Sequence, residues 1–214
     1  MIAEIAQPAS AVFPKTPAKR KIPGYLVRET IDGIPFYYAG YREVLNKKKS
    51  LEDIIADSGL QSIIKAYLMK LFAQNLDWEV FQPVSGEVGS HLDHRSNLAL
   101  DVAVYENSVL TPDKINLKYI NVHPKIVVEI DVRVKLEDPT ANVFDQYVLR
   151  KVKKLLAFGT ERIIWIFTQS DTIIVAKPGN SWEVFKLDQD VVLLENLTMN
   201  IGEYLKSKGV ELVA

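Results

Sequence analysis

A single domain with a mixed sheet and helices packed on it, α/β or α+β, is what these 214 residues predict. Three observations carry that expectation. β-Branched runs of strand length recur, notably Lys125 to Val132 and Arg162 to Phe167. Two stretches have helical periodicity, one spaced as Leu60, Ile63, Ile64, Tyr67, Leu68, Leu71 and Phe72, the other ending at Gly159. The order is helix, three strands, helix, strand and a C-terminal hairpin, so a meander is followed by a right-handed crossover through a helix. The length suits one domain with a core of its own, here residues 24–214, preceded by an arm at residues 1–23.

The arm is rich in Ala, Pro and Lys and ends on the basic run Lys19-Arg-Lys21, so it reads as extended chain. Tyr25 to Tyr41 is strand-like, with a turn at Ile31-Asp-Gly33. Ser50 and Asp53 have the spacing of a capping box before the first long helix. Strands are expected over Trp78 to Val84, Leu98 to Tyr105 and Ile126 to Val132, with a surface excursion between Glu106 and His123. A loop at Glu137-Asp-Pro-Thr140 leads into the second helix, which Gly159 caps. Thr172 to Ala176 and Trp182 to Leu187 form an antiparallel pair through Pro178-Gly-Asn180, and Ile201 to Lys206 is a last amphipathic segment.

Composition removes several chemistries. The absence of cysteine excludes disulfides, thiolate metal sites, iron–sulfur clusters and cysteine nucleophiles. No apolar run approaches the ~20 residues that span a bilayer, so no membrane partner is expected. No signal peptide is evident, and the expected location is the cytoplasm. A net charge of -1 gives no global attraction to nucleic acid, so any contact with DNA needs a local basic patch.

Charge inside the apolar runs is the informative feature. Leu98, Leu100, Val102 and Val104 alternate onto one face of their strand, leaving Asp101 on the other between Ala99 and Ala103. In the next strand Glu129 and Asp131 oppose the face of Ile126, Val128, Ile130 and Val132, and Arg133 follows on their side. A carboxylate in such a run is costly to bury unless a cation or a hydrogen-bond donor compensates it. If the two strands pair, Asp101 and Glu129 lie within about 5.5 Å of each other and reach one cation. Mg²⁺ (or Mn²⁺) suits one or two carboxylates completed by water and phosphate oxygens.

On the second helix Phe144, Tyr147, Val148, Leu155 and Phe158 form a stripe with Lys151 in its middle. Two readings are open for that lysine. Its stem snorkels to the surface, or its ammonium meets the buried carboxylates. In the second case two acids and a lysine make a minimal site for phosphodiester hydrolysis. Arg133 and Lys135 rank behind Lys151 as the cation. His91 and His94 match no helical metal pair and read as turn or edge residues; His123 reads as a loop residue. Glu79 and Glu87 are further acids that nothing singles out.

Asp101-Val-Ala-Val, Pro124-Lys-Ile-Val-Val-Glu-Ile130, Lys151 eight residues before Gly159, and Ile163-Ile-Trp-Ile together resemble the Uma-type family, endonuclease-like proteins of the PD-(D/E)xK superfamily. The resemblance covers roughly Tyr25 to Leu187. It implies a restriction-endonuclease-like core, a metal-dependent endonuclease acting on DNA, and Asp101 and Glu129 as metal ligands. It further implies the backbone carbonyl of Ile130 as a ligand and Lys151 as the catalytic lysine. Asp131 stands where the superfamily's simplest motif has its lysine, which this family moves onto the following helix. Leu100 stands where proline is usual, and the loop after Asp131 lacks the family's Ser-Pro-Ser turn. The alternative function is a catalytically inactive nuclease-fold module that binds DNA or protein. Symmetric cleavage of a duplex favours a homodimer.

Overall fold

The computed structural model describes residues 22–179 and 182–210. The arm, apart from Ile22 and Pro23, lies outside the described residues, as do the run Lys19-Arg-Lys21 and Asn180 of the expected turn.

The chain enters through a hairpin, β1 (Val27–Ile31) and β2 (Ile34–Tyr38), turned at Asp32-Gly33, both with positive φ. Two short helices, α1 (Tyr41–Leu45) and α2 (Glu52–Ile55), precede the long α3 (Gly59–Asn75). Ser50 and Asp53 do not cap this long helix. The Asp53 carboxylate accepts from the Ser50 N–H and hydroxyl and closes the turn before α2. The capping box of α3 is Ser58 with Gln61, each side chain bonded to the other's backbone N–H.

β3 (Phe81–Asp93) begins later than expected. Trp78 to Val80 form a turn, because the Asp77 carbonyl takes the N–H groups of Val80 and Phe81, and Trp78 stays exposed. β3 pairs along its length with β4 (Ser96–Glu106), which pairs antiparallel with β5 (Ile126–Ile130). After the short β6 (Val134–Lys135), one π-helical turn (Phe144–Val148) runs into α4 (Leu149–Phe158), so the expected helix is present in two pieces. α4 crosses over to β7 (Arg162–Phe167), parallel to β5. β8 (Thr172–Ala176) and β9 (Glu183–Phe185) complete that side as an antiparallel pair. A second hairpin, β10 (Val191–Leu194) and β11 (Leu197–Met199), which no sequence signal marked, leads into α5 (Ile201–Ser207).

Neighbouring strands run β6-β2-β1-β4-β5-β7-β8-β9, with β3 on the remaining edge of β4. Because β3 fills one edge of β4, β1 and β5 share the other. β1 meets it at Asn97 and β5 over Val102 to Val104, so the two diverge around Ala99 to Asp101. The mixed, mainly antiparallel sheet is covered on one face by α3, β10, β11 and α5 and on the other by α4.

The expected alternation along β4 does not hold. Leu98 and Leu100 pack in the layer of α4, whereas Val102 and Val104 pack in the layer of α3. The strand changes face at Asp101, opposite a bulge where Gly86 and Glu87, both with positive φ, face a single residue of β4. An extra residue of this kind sharpens local twist. β5 likewise stops at Ile130. Asp131 turns out with φ 59, its N–H donating to the Ile166 carbonyl and its carboxylate accepting from Thr168. Val132 and Arg133 therefore do not continue the expected faces.

Gly159 ends α4 with φ 119, and a Cβ there would stand 2.9 Å from the His123 ring. Gly159→Ala is expected to destabilise the fold by about 1–2 kcal/mol, read as a lower urea midpoint at unchanged slope.

Candidate active site

Asp101 sits where β1 and β5 part, and continuing the β4–β5 register by one step beyond Val102↔Val128 sets it opposite Glu129. Both carboxylates are 1% exposed. Asp101 Oδ2 accepts from the Ile130 N–H at 2.8 Å. Its Oδ1 lies 3.0 Å from Lys65 Nζ of α3 and 3.5 Å from Arg28 Nη2 of β1. Glu129 Oε2 lies 3.0 Å from Lys151 Nζ, which comes from α4 on the opposite face of the sheet. Two lysines thus enter the same gap from the two helical layers.

Lys151 is fully buried, which decides against snorkelling. Its ammonium also contacts Glu29 Oε2 at 3.1 Å, the Ala99 carbonyl at 3.0 Å and the Tyr147 hydroxyl at 3.3 Å. Tyr147, one turn earlier, donates to Glu29. Glu29 accepts from the Ala99 N–H at 3.2 Å. The Ala99 N–H and carbonyl, on the edge of β4 from which β1 diverges, are thus both satisfied by side chains of the site.

The inner groups are three basic and three acidic side chains: Arg28, Lys65 and Lys151 with Glu29, Asp101 and Glu129. Outside them the pairs close into a ring of alternating sign. Lys65 reaches Asp57 at 2.8 Å, Asp57 reaches Arg133 at 2.5 Å, Arg133 reaches Glu87 at 3.4 Å, and Glu87 returns to Arg28 at 3.4 Å. The bulge aims Glu87 into this ring, and Arg133 also donates to the carbonyls of Ile55 and Ala56. Asp57, Glu87 and Arg133 are the partly exposed members. Counting Asp57, Glu87 and Arg133 with the inner six gives five acids to four bases.

The two carboxyls titrate in opposite directions. Burial pushes Asp101 up, but Arg28, Lys65 and the Ile130 N–H outweigh it and hold the carboxyl below the ordinary range. Glu129 is pushed from 4.5 up to about 8, chiefly by burial, which Lys151 opposes and Asp101 and Glu29 reinforce. Tyr147 is raised by burial and by Glu29 beside it.

Two carboxylate oxygens, Asp101 Oδ1 and Glu129 Oε1, are buried with no hydrogen-bond partner. Glu129 Oε1 has no hydrogen-bond partner and Asp101 Oδ1 has only its ion pairs with Lys65 and Arg28; hard oxygens on facing acids are a donor set that fits a divalent cation of the Mg²⁺ type. They do not amount to a protein cage: among the described residues no group of three or more His, Cys, Asp or Glu is placed to hold a metal. The Ile130 carbonyl accepts from Gln61 Nε2 at 2.9 Å.

Sequence reasoning brought Asp101, Glu129 and Lys151 to one place but missed Arg28, Glu29 and Lys65. Lys65 carried the same signal as Lys151, since Gln61, Ile64, Lys65, Leu68 and Phe72 form the buried stripe of α3. Arg133 and Glu87 join the outer ring. Lys135 is exposed on β6, and Asp131 is bound to Thr168, away from the site. His91 lies near the end of β3 against Asn97, His94 in the following turn, and His123 against Gly159.

No protein-family model matches the chain. No curated protein matches it. Among solved structures it is similar to one from Anabaena variabilis ATCC 29413 described as a "putative nuclease belonging to DUF820". The TM-score is 0.60 at 16% identity, over 83% of this chain and 89% of that one. At that identity the likeness establishes the fold alone, a mixed α/β arrangement shared with that structure. No helix among the described residues is long and apolar enough to cross a membrane.

The raised pKa of Glu129 fixes a sign. The folded state binds this proton more tightly than the unfolded chain, so the group's stabilisation is complete below 4.5 and is lost as pH rises through about 8. The unfolding temperature of the wild type minus that of Glu129→Gln is expected to fall between about pH 4.5 and about pH 8 and to level off above. A difference independent of pH would contradict the assignment.

Proposed function

We propose that this chain is a metal-dependent nuclease of the PD-(D/E)xK type, hydrolysing DNA phosphodiesters as the Uma-type resemblance implies. The observation that carries the reading is the convergence of Asp101, Glu129 and Lys151, with one oxygen of each acid accepting no hydrogen bond. Asp101 and Glu129 would hold Mg²⁺ or Mn²⁺, which supplies polarisation of the phosphoryl group and a bound water of lowered pKa. Lys151, held by Glu29, Glu129, Ala99 and Tyr147, has its ammonium fixed beside Glu129, where it orients the attacking water and balances charge growing on phosphorus. Glu129 in its protonated form has a proton to release as a cation enters. Arg28 and Lys65 add positive charge on the Asp101 side. A two-fold dimer is the assembly that presents two such sites to opposite strands of a duplex.

A second reading has its own support. Asp101, Glu129 and Lys151 are each at most 1% exposed, and the inner charges are already compensated. Those features suit a non-catalytic module that keeps the fold and binds DNA or protein elsewhere on its surface.

Purified protein incubated with supercoiled plasmid and with labelled single strands separates the two. The nuclease reading expects Mg²⁺- or Mn²⁺-dependent nicking, reduced at least about 100-fold in Asp101→Asn and in Lys151→Met, each shown to be folded by circular dichroism. Metal-independent, salt-sensitive retention of DNA without cleavage would favour the binding module. Cleavage equal in wild type and variants would remove these residues from the chemistry.

A further inference from the structure

We infer that Lys65 is a resident cation that competes with the divalent ion for Asp101, with Asp57 as the carboxylate onto which its ammonium withdraws; this rests on the metal-site reading above. Lys65 Nζ lies 3.0 Å from Asp101 Oδ1, on the very oxygen that no hydrogen bond satisfies. An ammonium in contact with that oxygen repels a divalent ion coordinated to it across a few ångströms in a buried setting. Lys65, the nearer of the two cations on this oxygen, has somewhere to go. The same Nζ already touches Asp57 Oδ2 at 2.8 Å, on the solvent side of the site. Asp57 is 22% exposed by side chain against 2% for Asp101, so the move carries the ammonium outward into better solvation. The lysine stem is flexible and four carbons long, and Gln61, one turn earlier on α3, stays bonded to the Ile130 carbonyl. The helix therefore need not move.

The arrangement compensates Asp101 without metal, and the shorter of the two ion pairs on its Oδ1 is the one to Lys65. It also links metal uptake to the outer ring, because Asp57 is shared between Lys65 and Arg133.

The test reads Mn²⁺ binding by thermal shift, with no substrate and no activity. Lys65→Met is expected to be less stable than wild type without metal and to respond to Mn²⁺ at about tenfold lower concentration. Lys65→Arg, which keeps the charge, should respond like wild type. Asp57→Asn, which retains Lys65 but weakens the place it withdraws to, should need more Mn²⁺ than wild type; it also serves if the methionine variant does not fold. Adding Asp101→Asn to either background should abolish the response. Equal Mn²⁺ midpoints in wild type, Lys65→Met and Asp57→Asn would overturn the inference while leaving the metal site standing. Folded wild type and Lys65→Met that both ignore millimolar Mn²⁺ would overturn the metal reading and the inference together.

Discussion

A carboxylate at the centre of a sheet has to be compensated, and Asp101 is the residue around which that compensation is built. Its strand changes face at this position, opposite the Gly86-Glu87 bulge and between two strands that part company. The gap that results is too polar to fill with aliphatic side chains and too buried to fill with water-exposed ones. Charged groups arrive instead from every element that borders it: Arg28 and Glu29 from β1, Glu129 from β5, Lys65 from α3 and Lys151 from α4. Removing any one of them leaves a buried charge without its partner, a loss of about 3–5 kcal/mol.

The placement of the gap follows from topology. A continuous sheet offers no opening in its middle, because each strand edge is paired with the next. Here β1 and β5 share one edge of β4, and the peptide groups they leave unpaired become ligands for side chains, as at Ala99. The parallel pair β5–β7 requires a crossover, and α4 with the π-helical turn before it is held above the gap, Lys151 and Tyr147 facing into it. Fold and candidate site are thus the same set of constraints seen at two scales. The outer ring of Lys65, Asp57, Arg133, Glu87 and Arg28 fastens the α2–α3 connection and the bulge across the mouth.

How much of this the sequence disclosed depended on whether local periodicity survived. Lys151 was legible because it interrupts an apolar stripe on a helix that keeps its period. Glu129 was legible because β5 alternates regularly up to Ile130. Lys65 sat in an equally anomalous stripe, yet its apolar neighbours Ile64 and Leu68 made the helix look like ordinary core. Arg28 and Glu29 fall in a five-residue strand whose charges are indistinguishable from those of a solvated edge until β4 is laid beside it. Asp131 and Arg133 were misplaced because strand alternation was carried past the point where the backbone takes a positive φ. The face change at Asp101 was hidden for a related reason: the bulge that drives it lies on β3, about fifteen residues earlier in the chain. The β10–β11 hairpin, turned at Glu195-Asn196, carries no glycine to announce it.

The most direct measurement is anomalous diffraction from crystals soaked in Mn²⁺. The account predicts a peak between Asp101 and Glu129, bonded to Oδ1 and Oε1, with Lys65 Nζ withdrawn onto Asp57. Density showing Lys65 still on Asp101 and no anomalous peak between the two acids would contradict it, and the buried charges would then stand as the structural compensation of a fold that has no use for a metal.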